Sequence, residues 1–381
     1  MLKSANPILQ FGTSRFLQAH VDLFVSQALE RGDTGQALGG ITVVQTTDSP
    51  ASARRVAALT EGDGYPVRIR GLHNGQAVDH TLRCRSVRRA LQAHADWLQV
   101  LDAAARDAQV MVSNTADRGF QLDALDGPGL IGSTQQVPHS FPAKLSVLLH
   151  HRWQLNPDAA LSIYPCELLE RNGDTLRDLL VELSGQWDLP DAFVGWLQGH
   201  CVWANSLVDR IVSEPIEPVG AVAEPYALWA IERQPRLLLP CVHENIVLTD
   251  DLTPYARLKL FLLNAGHSYL AELWLRGGRS ADKTVGQAMG EPALRGELEA
   301  LWAEEIVPVF DAFGKGDAAR TYLVDVRERL SNPFLVHRLA EIANNHEQKK
   351  QRRFAPLIDL AAQRRLTLPQ RRLRAALASG G

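Results

Sequence analysis

The chain has only four cysteines in 381 residues, Cys84, Cys166, Cys201 and Cys241, far apart and with neither a CxxC nor a CxxH among them. That spacing excludes a zinc ribbon and a disulfide-stapled scaffold, so reduced, buried thiols and no metal are expected. Long apolar runs are missing too. Nowhere do about 18 apolar residues follow one another as a membrane span requires, and the opening MLKSANPILQFGTSRF has an apolar run too short for a secretory core. A cytoplasmic protein with no membrane attachment is the expectation. Nor does one sign of charge dominate: 40 Lys and Arg stand against 43 Asp and Glu, a formal net charge of −3. Such a balance lacks the basic excess that holds nucleic acid or an anionic bilayer. It points to a small-molecule partner and leaves the oligomeric state open.

Of the residues present, 45% are hydrophobic and 22% charged, an ordinary globular balance in a chain long enough for two cores. Residues 7–11 (PILQF) form a short apolar run ended by Gly12, after which Leu17, Val21, Phe24 and Ala28 recur at helical spacing. This predicts strand, tight turn, helix. Further β-rich runs at 41–45 (ITVVQ), 110–114 (VMVSN) and 161–164 (LSIY) alternate with helical segments such as 95–108. The alternation predicts a parallel sheet covered on both faces. Beyond residue 253 the character changes: 255–275, 293–313 and 333–345 carry helical periodicity, with no strand-rich segment. We therefore expect an α/β domain over residues 1–252 and a mainly helical domain over 253–381. Their joint is TDDLTP (249–254), where Thr249 or Asp250 can cap a helix. The basic stretch 349–374 has the look of a nucleic-acid tail, but Leu357, Ile358, Leu360 and Leu366 interleave its charges, the pattern of a solvated helix face.

Three groups of residues can carry chemistry. The first is the turn Gly12-Thr13-Ser14-Arg15-Phe16 between opening strand and helix. Gly12 can turn sharply, Thr13 and Ser14 add hydroxyls, and a helix start offers N–H groups to a pyrophosphate. The full GxGxxG fingerprint is absent, since Ser14 stands at the second glycine position. Asp48, just beyond ITVVQ, is placed either to bind the ribose hydroxyls of NAD or to cap a helix, and Arg54 and Arg55 nearby suit the 2′-phosphate of NADP.

The second group is Lys259, Asn264 and His267 in RLKLFLLNAGHS (257–268). On a regular α-helix Asn264 falls about 140° and His267 about 80° from Lys259, so all three project into one sector. Oxidising a carbinol needs a base for the hydroxyl proton and a donor for the developing alkoxide. Lys259 can be the base, its neutral amine favoured by desolvation beside a charged nicotinamide. Asn264 can donate to the oxygen, and His267 can orient the lysine. A snorkelling lysine and a core histidine fit the same spacing. The third group is Asp209 and Arg210, which interrupt the apolar run of NSLVDRIVSEP (205–215); a structural ion pair and a ligand role are both open.

Together these motifs resemble the long-chain mannitol dehydrogenase family, which includes polyol dehydrogenases, mannitol-1-phosphate dehydrogenase and the tagaturonate and fructuronate reductases. QFGTSRFLQAH (10–20), VDRIVSEP (208–215) and the Lys259/Asn264/His267 helix stand in that family's order, with SNTADRG (113–119) and PCELLERNGD (165–174) as further matches. The resemblance spans nearly the whole chain. It implies a Rossmann-type doubly wound domain followed by a helical one, a metal-independent dehydrogenase acting on CH–OH groups, and NAD as cofactor with NADP the alternative. It also implies Lys259 as general base, Asn264 in an oxyanion site, Asn114 and Thr115 beside the cofactor, and Asp209 and Lys349 beside the substrate. Two positions depart from the polyol pattern: Leu168 follows Cys166-Glu167 where a second oxyanion asparagine is expected, and Ala256 replaces a glutamate three residues before the lysine. The PCELLERNGD form is similar to the hexuronate-reductase branch. The leading expectation is therefore a keto-hexuronate reductase, ahead of a mannitol or other polyol 2-dehydrogenase and a polyol-phosphate dehydrogenase. From another class, a sugar- or nucleotide-binding regulator without turnover is the competing reading.

Overall fold

The computed structural model describes residues 5–32, 36–48, 50–115, 119–278, 280 and 282–379. They divide into two compact units, Met1–Arg68 with Thr81–Ala223 and Ala227–Leu252, and Ile69–His80 with Glu224–Tyr226 and Thr253–Gly381. The strands are β1 (Ile8–Phe11), β2 (Ile41–Gln45), β3 (Tyr65–His73), β4 (Gln76–Cys84), β5 (Val87–Gln92), β6 (Val110–Ser113), β7 (Ser162–Pro165), β8 (Val202–Trp203), β9 (Ser206–Asp209), β10 (Val212–Pro215), β11 (Ala221–Ala223), β12 (Leu228–Glu232) and β13 (Ile246–Thr249).

In the first unit six strands make an all-parallel sheet in the order β5-β2-β1-β6-β7-β8. Counted along this sheet the order is 3-2-1-4-5-6, the doubly wound arrangement whose winding reverses between β1 and β6. The four apolar runs of the sequence are its β1, β2, β6 and β7. Leu9, Phe11, Val44, Met111 and Ile163 face one core layer, and their alternates Ile8, Val43, Val110 and Val112 are equally buried, as strands covered on both sides must be. The edge strand β5 (VRRALQ) is half solvated, and its two arginines hide it from a search for apolar runs.

Helices α1 (Arg15–Gln18), α2 (Val21–Glu30), α3 (Pro50–Leu59), α4 (Trp97–Asp102), α5 (Phe141–Leu155), α6 (Asn172–Gln186) and α7 (Asp191–Gly199) belong to this unit. The single first helix expected from the periodicity is broken at Ala19 and His20, where His20 adopts φ −127° and ψ −94°. Side chains hold the break: Arg210 Nη1 donates to the Ala19 carbonyl (2.6 Å) and Gln18 Nε2 to the Thr13 carbonyl (3.1 Å). Two smaller sheets, β10-β11-β3-β4 and β13-β12-β9, add strands that the alternation of strand and helix did not predict. Asn74 and Gly75, both at positive φ, join β3 to β4, the two-residue turn chemistry of a hairpin.

The second unit is mainly helical: α8 (Thr253–Leu258), a π turn (Lys259–Asn264) and α9 (Ala265–Arg276) in succession, then α10 (Val285–Gly290) and α11 (Pro292–Ala300). A second π turn (Leu301–Ile306) follows, then α12 (Val307–Ala312), α13 (Gly316–Leu330), α14 (Leu339–Ile342), α15 (His346–Arg353), α16 (Ala355–Gln363) and α17 (Arg371–Ala378). Leu262, Leu270, Leu298, Trp302, Val326 and Phe354 centre its core. The β3–β4 tip belongs here as well. Glu328 accepts the N–H groups of Asn74 (3.2 Å) and Gly75 (2.6 Å), and Arg70 lies 4.3 Å over the Phe334 ring.

Two expectations for this unit need correction. Helix over 333–345 is limited to Leu339–Ile342; Asn332 Oδ1 takes the Phe334 N–H and turns the chain at 333–334, and the residues after it run without helix to Arg338, which bridges Thr284. The basic stretch 349–374 is largely solvated, but Lys350 is buried, donating to the Ala376 carbonyl (2.8 Å) and paired with Glu347 (2.8 Å). Among the described residues no helix is long and apolar enough to cross a membrane.

Candidate active site

At the C-terminal edge of the parallel sheet, Gly12 follows β1 with φ +106° and donates its N–H to the Val44 carbonyl (3.0 Å). A Cβ here would lie 2.8 Å from the Asn114 carbonyl oxygen. Only glycine lets the turn after β1 approach the segment after β6 so closely. Gly12→Ala should cost about 1–3 kcal/mol, read as a lower urea midpoint; an unchanged midpoint would remove this reason for the glycine.

Ser14 caps α1, accepting from Leu17 N (3.2 Å) and donating to Asn114 Oδ1 (3.0 Å), while Asn114 Nδ2 donates to the Cys166 carbonyl (2.9 Å). Buried Glu167 accepts from Ser113 Oγ (3.0 Å), Thr115 N (2.9 Å) and Thr115 Oγ1 (3.0 Å). Burial pushes its carboxyl up, and the bonds from Thr115 and Ser113 oppose that shift. The segments after β1, β6 and β7 are thereby tied together, and Gly12, Ser14, Asn114 and Thr115 meet at the point where the winding reverses, the place where open α/β sheets bind ligands.

The other expected cofactor residues are placed differently. Thr13 is buried and its hydroxyl is spent on Gln45 Oε1, whose Nε2 donates to Thr47 Oγ1 (2.5 Å). Arg15 is exposed, Phe16 stacks on His20 at 4.7 Å, and Asp48 stands exposed beyond the end of β2. Residues 116–118 of the SNTADRG segment lie outside the described residues. A glycine turn and an exposed arginine suit a diphosphate, while the hydroxyls of Thr13, Ser14 and Thr115 and the Asn114 amide are spent on holding the turn in shape. Glu167 and Gln45, which hold this edge in shape, were missed, although a charged residue closing the apolar run LSIYPC is a visible oddity.

In the helical unit Lys259 opens the π turn and Asn264 closes it. The 100° per residue of a regular α-helix does not hold here. The wider turn, bonded i to i+5, brings residues five apart toward one face. Gly266 makes room for Trp302, whose ring atom Cζ2 would be 3.1 Å from a Cβ there, and the indole N–H donates to the Leu262 carbonyl (3.2 Å).

Arg353 Nη1 donates to the Asn264 carbonyl (3.1 Å) and to Ser268 Oγ (2.8 Å). Burial lowers its pKa to about 10, with Arg352 adding to the effect. His267 is buried, with its ring 4.9 Å from that of His337. Burial first, then the neighbouring His337, Arg329 and Arg353, push its pKa well below the usual histidine value, so the ring is neutral at neutral pH. Arg329 is itself held by a buried pair with Glu224 (2.8 Å) and lies 4.3 Å over Tyr226.

Lys349 on α15 donates to the Ile342 carbonyl (2.8 Å), and burial with Arg353 nearby lowers its pKa. Asp209 is buried at the end of β9, opposite Leu228 on β12, and belongs to the first unit. Leu168 is 77% exposed after β7 and carries no donor. No sequence signal marks Arg353 or His337 as neighbours of the Lys259 helix.

A doubly wound parallel sheet open at its switch point, followed by a helical unit carrying Lys259, Asn264 and His267, is the architecture of a two-domain dehydrogenase of the dinucleotide-binding class. The mannitol dehydrogenase Rossmann domain matches residues 6–238, and the mannitol dehydrogenase C-terminal domain matches 251–379. The chain belongs to the mannitol dehydrogenase family and is an oxidoreductase.

Among curated relatives, the altronate oxidoreductase of Yersinia enterocolitica is 34% identical, covering 96% of this chain and 77% of its own length. That of Halalkalibacterium halodurans is 32% identical over 92% and 69%. The fold is similar to D-sorbitol dehydrogenase in substrate-free form (TM-score 0.82, 20% identity, 98% of this chain and 80% of that one). It is also similar to Pseudomonas fluorescens mannitol 2-dehydrogenase in ternary complex with NAD and D-mannitol (TM-score 0.73, 18% identity, 98% and 79%).

Proposed function

We propose that this oxidoreductase is NAD-dependent and interconverts a secondary alcohol and a ketone on an open-chain sugar acid of the altronate type. The observation that carries the reading is the similarity to altronate oxidoreductases along 96% of the chain, supported by the motif set that includes Lys259 and Asn264. In this reading residues 1–252 form the dinucleotide-binding domain and 253–381 the catalytic and substrate domain. Gly12, Ser14, Asn114 and Thr115 hold the dinucleotide, Asp48 serves the ribose, and Thr13, Arg15 and Phe16 shape the same turn. NAD, when bound, accepts or returns the hydride. Lys259 takes the carbinol proton on its Nζ, Asn264 donates its amide N–H to the oxygen as negative charge builds, and neutral His267 orients the lysine without adding a competing charge. Asp209 and Lys349 contact the substrate. With its four cysteines as buried thiols, the protein is assigned to the cytoplasm.

Arg353 in this scheme is a positioning residue, since it braces the carbonyl of Asn264 and the hydroxyl of Ser268. Arg353→Lys loses the fork that reaches both acceptors and should lower kcat about tenfold, an interaction worth about 1.4 kcal/mol, with KM for cofactor unchanged. A variant with wild-type kcat would remove Arg353 from the scheme.

The reading is tested by following NADH and NADPH absorbance with keto-hexuronates, neutral ketoses and ketose phosphates at matched concentrations. Preference for a keto-hexuronate with NADH is expected. A neutral ketose or a ketose phosphate as the best substrate would replace the sugar-acid assignment, and silence across the panel would favour a binding regulator.

A further inference from the structure

His337 stands out among groups that the scheme above does not use. Its ring packs against the His267 ring at 4.9 Å, while its backbone is fixed on two sides: the His337 carbonyl accepts from Val285 N (2.9 Å), and Arg338 bridges Thr284. The ring is half-buried, and Nδ1 is closed off from solvent with no hydrogen-bond partner among the described residues. A buried polar nitrogen left unmet costs stability, and such a cost at a site next to the expected catalytic helix points to a ligand that repays it. Among the described residues no hydrogen bond fixes which way the ring is turned, and a half-turn about Cβ–Cγ that keeps the packing on His267 exchanges its two edges. Burial lowers its pKa, with Glu341 and Lys349 acting in opposite directions, so the ring is neutral and carries one N–H donor. Of the charges that act on it, Glu341 and Lys349 oppose each other, and Lys349 is held by the Ile342 carbonyl with no carboxylate paired to it among the described residues, which leaves its positive charge uncompensated. That setting suits an anionic ligand.

We propose that His337 is a further substrate-contacting residue that donates a hydrogen bond from its ring to the carboxylate of the sugar acid, and so selects acids over uncharged polyols. The inference rests on the sugar-acid reading above. It assigns the choice of substrate class to the extended segment before α14, whereas proton transfer stays with Lys259.

The test compares wild type with His337→Ala, His337→Asn and His337→Gln, the amides standing in for Nδ1–H and Nε2–H. The readouts are KM and kcat for altronate and mannitol, NADH affinity by fluorescence titration, and the melting temperature. His337→Ala should raise KM for altronate about 10- to 100-fold, the worth of a hydrogen bond to a charged group. Its kcat at saturation, its KM for mannitol and its NADH affinity should stay near wild type. One of the two amides should recover most of the altronate KM. An unchanged altronate KM in His337→Ala would overturn the proposal, and so would an equal rise for both substrates or a loss confined to kcat. If the alanine variant melts below the assay temperature, the Asn and Gln pair decides: wild-type KM in both, or equal loss in both, counts against a directed hydrogen bond. Wild type inactive on every sugar acid would instead overturn the sugar-acid reading itself.

Discussion

Replacing Lys259 with alanine should lower kcat about a thousandfold, within the range expected for loss of a positioned general base, while NADH affinity stays within a few-fold of wild type. Lys259 lies at the start of the π turn and Asn264 at its end, so the proposed base and the proposed oxygen donor are carried by one piece of backbone. A group that acts only as the proton leaves should change kcat and kcat/KM together. Lys259→Arg should fail as completely, because a guanidinium does not give up its proton in proteins. Stopped-flow turnover and fluorescence titration on the same preparations check this. Activity of Lys259→Ala within tenfold of wild type would assign the base elsewhere. Because alcohol oxidation releases a proton and ketone reduction consumes one, oxidation should also speed up and reduction slow down as pH rises. A flat oxidation profile from neutral to alkaline pH would count against a lysine base.

The second large effect concerns stability. Asp22 on α2 is fully buried, and its Oδ2 accepts from the Tyr65 hydroxyl (2.7 Å). Burial raises its pKa from 3.8 to about 7, outweighing the hydrogen bonds from Tyr65 and Gln10. The folded protein therefore keeps this proton over a window in which the unfolded chain has already released it. The stabilisation is fully present below about pH 4 and is lost as pH rises through about 7. At about 1.4 kcal/mol for each pH unit, the loss amounts to about 4 kcal/mol across the window. Asp22→Asn keeps an oxygen to accept from Tyr65 and cannot ionise. Its stability should gain about 3 kcal/mol on wild type between pH 5 and pH 8, measured as the difference in urea unfolding free energy at the two values. Parallel pH profiles for the two proteins would mean that Asp22 ionises freely in the fold.

Reading the residues in order recovers the parallel sheet because its central strands are buried on both faces, and burial on both faces leaves an unbroken apolar run. The edge strand β5 escapes for the opposite reason: one side is solvated, and Arg88 and Arg89 break the run. The β3–β4 hairpin carries a legible signal, Asn74-Gly75 between alternating strands, yet its tip joins the helical unit rather than its sequence neighbours. The break at Ala19 depends on Arg210, 191 residues away, and no local pattern foretells it.

For the candidate site, sequence alone determined the residue types and their order: a glycine that must turn beside β1, hydroxyl and amide neighbours, and Lys259, Asn264 and His267 on one helix. Those are local properties, fixed by backbone sterics and side-chain chemistry within a few residues. Only the tertiary structure decided that the helix widens into a π turn between Lys259 and Asn264, and that Arg353, 89 residues from Asn264, braces its carbonyl. It alone seated His337 on His267 and made Glu167 and Asp22 buried acids. These last features depend on which distant atoms displace water from a group, and that quantity comes into being only when the chain has packed.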